Sequence, residues 1–218
     1  MEKVEWTKTK IEMDSIDWRG KTIHLKDVPA LRNETTGKIR VYPSDVACAE
    51  FRTIAEKHGL EPRDLASIGM LYVKPGPFRE GQVHYKYHLN KMLFYQWKRM
   101  EEFGISETFP HDEFEPAPRG PVPKNLSADL ERLEKMGIVN LKYKQWGKMP
   151  KQASLETELT STGLTIAEKI WGEVPEPFKE ITLKVKENIF PLDPKTIRER
   201  VHRDYPEYKK TYVELDTD

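Results

Sequence analysis

The 218-residue chain lacks the features of a secreted or membrane protein. It has a single cysteine, Cys48, so it cannot form an intramolecular disulfide. Its longest apolar runs, residues 68–73 and 92–95, fall far short of the ~18–20 residues that span a bilayer. The N-terminus has no basic-then-apolar start of the kind that signal peptides show. We therefore predict a cytoplasmic protein with no membrane partner.

The formal net charge of the chain is zero, because its 36 basic residues balance its 36 acidic residues. A protein that coats nucleic acid without selectivity carries an excess of Lys and Arg, so this class is excluded, whereas a local basic face is not. Gln and Asn are scarce beside plentiful Lys, Glu, Arg and Pro. This bias is typical of thermophile proteins with surface ion-pair networks, and it indicates a thermophile.

The motifs of common enzymes are missing. The sequence has no Gly-rich phosphate loop, no Gly-x-Ser-x-Gly elbow and no His-Glu-x-x-His. Cys48 lies in a predicted helix among apolar residues, which favours a buried inert thiol over a nucleophile. His84 and His88 have the spacing of two ligands on one helix face, but zinc needs three or four ligands. We predict a non-enzymatic protein without cofactor or metal, and an enzyme with an unfamiliar site stays open.

The patterns that are present indicate an α+β fold. Short alternating stretches near the N-terminus predict two or three short strands, and a helical hairpin follows them. The break Lys74-Pro75-Gly76-Pro77 is typical of a domain boundary. We therefore predict a small α/β domain over residues 1–76 and a mostly helical domain with a winged-helix core over residues 77–218.

The hairpin in the first domain also has the spacing of a helix-turn-helix, with a turn at Gly59 between apolar positions. Any helical hairpin with a glycine turn meets this spacing, so plain packing is favoured over DNA reading. If the second helix did read DNA, Arg63 and Asp64 would be exposed at its start.

The second domain begins with a core helix over residues 89–103 and then has the layout of a winged helix. A helix from Leu126 to Met136 carries leucines on one side and is capped by Asn125. Alternating residues from Ile138 and again up to Leu159 predict a two-stranded hairpin, whose basic loop forms the wing. Further helices are predicted to start near Thr160, Pro177 and Asp193.

The winged-helix region predicts contacts with duplex DNA, in which the helix enters the major groove and the wing meets phosphate. The candidate DNA-binding residues are Lys124, Arg132, Lys135, Lys142, Lys144, Lys148 and Lys151. Three acids on the same helix, Asp129, Glu131 and Glu134, would repel phosphate. The alternative interpretation is a scaffold whose solvated face is simply charged.

Two further basic stretches are weaker candidates. Aromatic residues from Tyr85 to Trp97 alternate with lysines and could stack on single-stranded bases, although their helical spacing favours a place in the core. The last helix, with Lys195, Arg198, Arg200 and Arg203, could contact phosphate or an acidic partner.

Three short motifs resemble those of the Panacea antitoxin domain and related phage-associated winged-helix-like proteins. They are Leu89-Asn90-Lys91-Met92-Leu93-Phe94-Tyr95, Arg119-Gly120-Pro121 before the Leu126 helix, and Leu159-Thr160-Ser161-Thr162-Gly163. The resemblance spans roughly residues 86–208. It implies a winged-helix core without catalytic residues and a function in protein binding, since Panacea domains are similar to toxin-neutralising and protease-adaptor proteins. An aromatic residue or His often precedes Gly-Pro in these families, whereas this chain has Arg119.

Two hypotheses of function follow. The first is a regulator of transcription that binds duplex DNA through the helix and the wing lysines. We expect it to act as a homodimer, because two half-sites would supply affinity that a neutral monomer lacks. The second is an interaction module of antitoxin or protease-adaptor type that binds a partner protein such as a toxin.

Overall fold

The computed structural model describes residues 5–16, 20–74, 84–102, 114–145 and 153–209. The fold is α+β, as predicted: an N-terminal antiparallel sheet of three strands precedes a mostly helical region. The helices of the described part are α1 (Pro43–Lys57), α2 (Pro62–Tyr72), α3 (Lys86–Glu102), α4 (Leu126–Lys135), α5 (Ser161–Glu173), α6 (Glu176–Ile189) and α7 (Pro194–Asp204). Its strands are β1 (Trp6–Ile16), β2 (Thr22–Asn33), β3 (Ile39–Arg40), β4 (His84–Tyr85), β5 (Phe114–Glu115), β6 (Val122–Pro123), β7 (Val139–Gln145) and β8 (Ala153–Leu159).

The N-terminal sheet is longer than the sequence predicts. β1 and β2 contain 11 and 12 residues, so the expectation of short strands was wrong. Pairing continues because an irregularity between Ile11 and Met13 absorbs one extra residue of β2 without ending the ladder. Leu25 and Val28 of β2 pack with Ala49 of α1 in a small core of their own.

A second and larger core lies among the helices. Leu65 and Ile68 of α2 belong to the same cluster of buried side chains as Leu89 and Phe94 of α3. The predicted boundary at residues 76 and 77 lies outside the described residues, and the two-domain division stays a prediction. Helices from both sides of that boundary nevertheless build one core.

The burial of α2 does not fit a DNA-reading helix. All of its residues from Asp64 to Leu71 are buried, and Asp64 itself is 1% exposed. A DNA-reading helix would expose Arg63 and Asp64 at its start, but here Asp64 is buried and Arg63 is half-buried. The hairpin of α1 and α2 is a packing element, which was the favoured interpretation of its glycine turn.

The predicted order of helix, strand, loop and strand is present in α4, β7 and β8. β8 lies between β7 and β4, and all these pairings are antiparallel. Together, α2, β4, α3, α4, β7 and β8 have the element order expected for a winged helix. Residues 146–152, which contain the predicted wing, lie outside the described residues.

Helix ends follow the sequence in part. The Thr160 hydroxyl accepts a hydrogen bond from Gly163 N at 2.8 Å, and Asp193 caps α7 through the Lys195 and Thr196 amides. Asn125 and Tyr42, which precede α4 and α1, make no side-chain cap, so the predicted Asn125 cap was wrong. No helix in the described part is long and apolar enough to cross a membrane.

Candidate binding surfaces

The leucine stripe of α4 determines which of its residues face outward. Leu126, Leu130 and Leu133 are at most 1% exposed and join the main core. The opposite side of the helix is exposed and consists of Ser127, Ala128, Glu131, Glu134 and Lys135. The face that would enter a DNA groove thus carries two glutamates and one lysine.

Arg132, the central candidate for DNA contact on α4, is engaged within the protein. One guanidinium nitrogen lies 2.7 Å from Glu61 Oε1, and the other lies 2.6 Å from Asp64 Oδ1 and 3.4 Å from Asp129 Oδ1. Asp64 and Asp129 are each 1% exposed. Phosphate would have to compete with three carboxylates, two of them buried, for this side chain.

The same carboxylates also hold Arg63. Its guanidinium group forms ion pairs with Glu61 at 2.7 Å and with Asp129 at 3.0 Å. Burial raises the pKa of Asp129 to about 6, although both arginines act against this shift. The cluster therefore joins the first turn of α2 to α4 by a network of three acids and two bases. Its role in this arrangement is to position α4.

Sequence reasoning missed this network, although one local signal was present. Glu61 and Asp64 form a capping box, in which the Asp64 carboxylate accepts from Glu61 N at 2.9 Å. A capping box predicts the start of a helix, but it does not reveal which distant arginine lies against it.

The other predicted DNA contacts have mixed surroundings. Lys142 pairs with Glu158 across the hairpin, and Lys124 lies 3.9 Å from Glu115. Lys135 is exposed at the end of α4. The structure does not describe the side chains of the remaining candidates, Lys144, Lys148 and Lys151. The structure thus does not gather the seven cations into one described patch.

Exposed apolar side chains accompany the acidic face of α4. Met136 follows the last turn of the helix and is 43% exposed. Tyr143 of β7 is 72% exposed, although Leu155, which pairs with it on β8, belongs to the main core. Large exposed side chains of this kind are common at the centres of protein interfaces.

A different group of cations surrounds a cavity of about 670 Å3 between the first turns of α3 and α7. Arg119, Lys195 and Arg198 line it together with Tyr85, Tyr87 and His88. Two of these residues belong to the basic last helix, whose other arginines pair with Asp204. The sequence did not predict this cavity.

The predicted histidine pair serves packing. His84 is fully buried beside the Phe190 ring, and His88 Nε2 donates to the Leu192 carbonyl at 3.0 Å. The described residues contain no group of three or more side chains suited to a metal ion. Phe94 and Trp97 of α3 are buried in the main core, in agreement with the helical spacing of these aromatic residues. Cys48 is buried as well.

Comparison with known proteins adds no family. No protein-family model matches the chain, and no curated protein matches it. The resemblance to the Panacea antitoxin domain stays a prediction. Function must therefore be argued from the surfaces described above.

Proposed function

We propose that this chain is a regulatory protein that acts by binding a partner protein, through the outer face of α4 and the β7–β8 hairpin. The observation that carries this proposal is the sequestration of Arg132 by Glu61, Asp64 and Asp129. It leaves Glu131 and Glu134 as the main charges on the outer face of the helix that resembles a recognition helix.

This face is better suited to a protein than to a phosphate backbone. Carboxylates repel phosphate, whereas they attract a basic surface and direct the approach of a partner that carries one. Met136, directly after α4, and Tyr143 of β7 add exposed apolar area to the proposed surface. A polar rim with an aromatic anchor is the usual composition of a protein interface.

The resemblance to the Panacea antitoxin domain fits this proposal. It implies toxin-neutralising or adaptor activity, and both require a surface for one protein partner rather than a catalytic site. We therefore propose a non-enzymatic module of this type, and the toxin or adaptor partner belongs to the proposal.

Binding to duplex DNA is the second candidate. The element order expected for a winged helix favours it, and so does the basic composition of the predicted wing with Lys148 and Lys151. In this case the wing would supply most of the phosphate contacts, and a homodimer would supply two half-sites.

The DNA candidate predicts a salt-dependent affinity that depends on the wing. The affinity of the purified full chain for mixed-sequence duplex DNA would be measured by fluorescence anisotropy from low to physiological salt. Under the partner proposal, wild type should bind DNA weakly or not at all. Under the DNA candidate, wild type should bind in the micromolar range, with an affinity that falls steeply as salt rises. The double variant Lys148→Glu with Lys151→Glu should then bind all sequences more weakly and with a smaller dependence on salt.

The partner candidate predicts that binding of the partner protein depends on the Glu131 charge on α4 and on the exposed Tyr143 ring. Tagged full-length protein would be purified at low salt from its native host, and co-purifying proteins would be quantified by mass spectrometry. We expect wild type to retain one partner protein in an amount close to its own. The double variant Glu131→Lys with Tyr143→Ala should retain about tenfold less of this partner, because it removes both a charge attraction and an aromatic anchor.

Glu168→Lys is the matched control, because Glu168 is an exposed residue of α5 outside this surface. This variant should retain the partner as wild type does. Equal retention by all three proteins would show that the α4 surface is not the interface. Failure of wild type to retain any protein at low salt would refute the partner proposal itself.

A further inference from the structure

The cavity between α3 and α7 shares no lining residue with the surface proposed for the partner. It is formed by residues that are distant in sequence: the first turn of α3 and β4, the segment between β5 and β6, and the first turn of α7. Its volume of about 670 Å3 falls in the range of small-molecule sites, and both charged and aromatic side chains line it.

The charged side chains that line this cavity are all cations, namely Arg119, Lys195 and Arg198. Both arginines are exposed, and neither forms an ion pair with another described residue, whereas Lys195 pairs with Glu199 at 4.0 Å. The nearby Asp193 carboxylate caps α7 by accepting from Lys195 N and Thr196 N. The two arginines are thus the cations of this cavity without an acidic partner among the described residues.

Tyr87 lies beside both arginines. Its hydroxyl is 3.5 Å from the Arg119 carbonyl oxygen, and its side chain lines the cavity together with Arg198. Burial raises the pKa of this hydroxyl, Arg198 and Arg119 act in the opposite direction, and Asp193 reinforces the rise.

The aromatic part of the cavity is held in place by hydrogen bonds. The Tyr87 hydroxyl donates to the Pro194 carbonyl at 3.0 Å, and His88 donates to the Leu192 carbonyl. The Tyr85 and Tyr87 rings lie 6.2 and 5.9 Å from the His88 ring, measured between centroids. The Tyr87 ring is thus held by a hydrogen bond, and the half-buried Tyr85 ring lies near it beside His88.

We propose that this cavity binds a nucleotide, with the phosphate groups on Arg119, Lys195 and Arg198 and the base against Tyr85 and Tyr87. Guanidinium groups match phosphate oxygens in pairs, and bases stack on aromatic side chains. This inference goes beyond the proposed partner binding, and it assigns a small-molecule ligand to the regulatory protein.

The experiment is a titration of the full chain with mant-labelled ADP and mant-labelled GDP, followed by fluorescence anisotropy. We expect saturable binding that weakens with salt, and a loss of affinity of about tenfold or more in Arg198→Glu and in Arg119→Gln, because each removes a charge-assisted contact with phosphate. Lys169→Glu on the exposed side of α5 is the control and should bind within about twofold of wild type, since Lys169 does not line the cavity.

Competition then separates the two halves of the site. Unlabelled AMP or GMP should displace the probe at far lower concentration than ribose 5-phosphate, because these monophosphates differ from it by the base that stacks. The nucleotide assignment would be overturned if ribose 5-phosphate displaced the probe at the same concentration as the nucleotides. It would also be overturned if a single-stranded oligonucleotide displaced the probe and the free nucleotides did not. Lack of probe binding by wild type, or unchanged binding by correctly folded arginine variants, would overturn the site.

Discussion

Replacing Gly163 with alanine is expected to lower the free energy of unfolding by about 3 kcal/mol or more. A Cβ atom at this position would lie 1.9 Å from the carbonyl oxygen of Ile138, which is backbone and cannot turn aside as a side chain can. Either α5 or the chain before β7 must therefore move. Both displacements would disturb the core beneath the hairpin.

The loss should be large because several hydrogen bonds converge at this point. Thr160 N donates to the Ile138 carbonyl at 3.0 Å, the Thr160 hydroxyl donates to the Gly137 carbonyl at 2.6 Å, and Gly163 N donates to that hydroxyl. The end of α4, the hairpin and the start of α5 are thus joined by one short segment. A shift of α5 would strain these bonds together.

Urea unfolding, followed by circular dichroism, measures this effect. Glu168→Ala on the exposed side of the same helix is the control and should change stability by no more than about 0.5 kcal/mol. An unfolding midpoint and slope for Gly163→Ala that match those of wild type would show that the close approach is absent in solution.

Features of the fold that arise from nearby residues could be predicted. The leucines of α4 repeat within one helix, so the pattern alone indicates which of its sides is buried. The pattern is less informative elsewhere, because Tyr143 is 72% exposed and α3 is buried on all sides from Leu89 to Trp97. The full length of β1 and β2 could not be predicted, because their pairing continues through an irregularity between Ile11 and Met13, beyond the stretches in which apolar and polar residues alternate.

The candidate site was predicted less well than the fold, for a physical reason. The partners of Arg132 include Asp64, which is 68 positions away, and the cavity brings Arg119 next to Tyr87 and Arg198. Contacts over such separations depend on how the helices pack, and no local pattern encodes them. The basic residues of α4 and of the last helix look alike in sequence, but Arg132 is neutralised by buried acids, whereas Arg198 faces a cavity.

The second large effect concerns pH. Two lysines, Lys91 and Lys186, are almost fully buried, and each ammonium group has backbone carbonyls as its hydrogen-bond acceptors. Lys91 donates to Pro121 at 2.6 Å and Lys186 donates to Met70 at 2.7 Å. Burial without a carboxylate partner disfavours the charged form, so the pKa of each lysine falls from 10.5 to about 7.

The sign of the pH dependence follows from these pKa values. Between pH 7 and 10.5 the unfolded chain binds more protons than the folded chain, so the free energy of unfolding rises with pH. Below pH 7 both states are protonated and the full penalty remains, on the order of 5 kcal/mol per lysine. Above pH 10 the raised pKa of Tyr95 has the opposite effect, because the unfolded chain then releases a proton that the folded chain keeps.

We therefore expect wild type to gain on the order of 6 kcal/mol between pH 7 and 9.5 in urea unfolding, about half of it from each lysine. Lys186→Met should remove about half of this slope, because the methionine fills similar space without a charge to bury. Lys184→Met, on the same helix at a side chain that is 71% exposed, should leave the slope unchanged. If stability is flat over this range, or if both variants have the wild-type slope, Lys186 is not a buried charge in the folded protein.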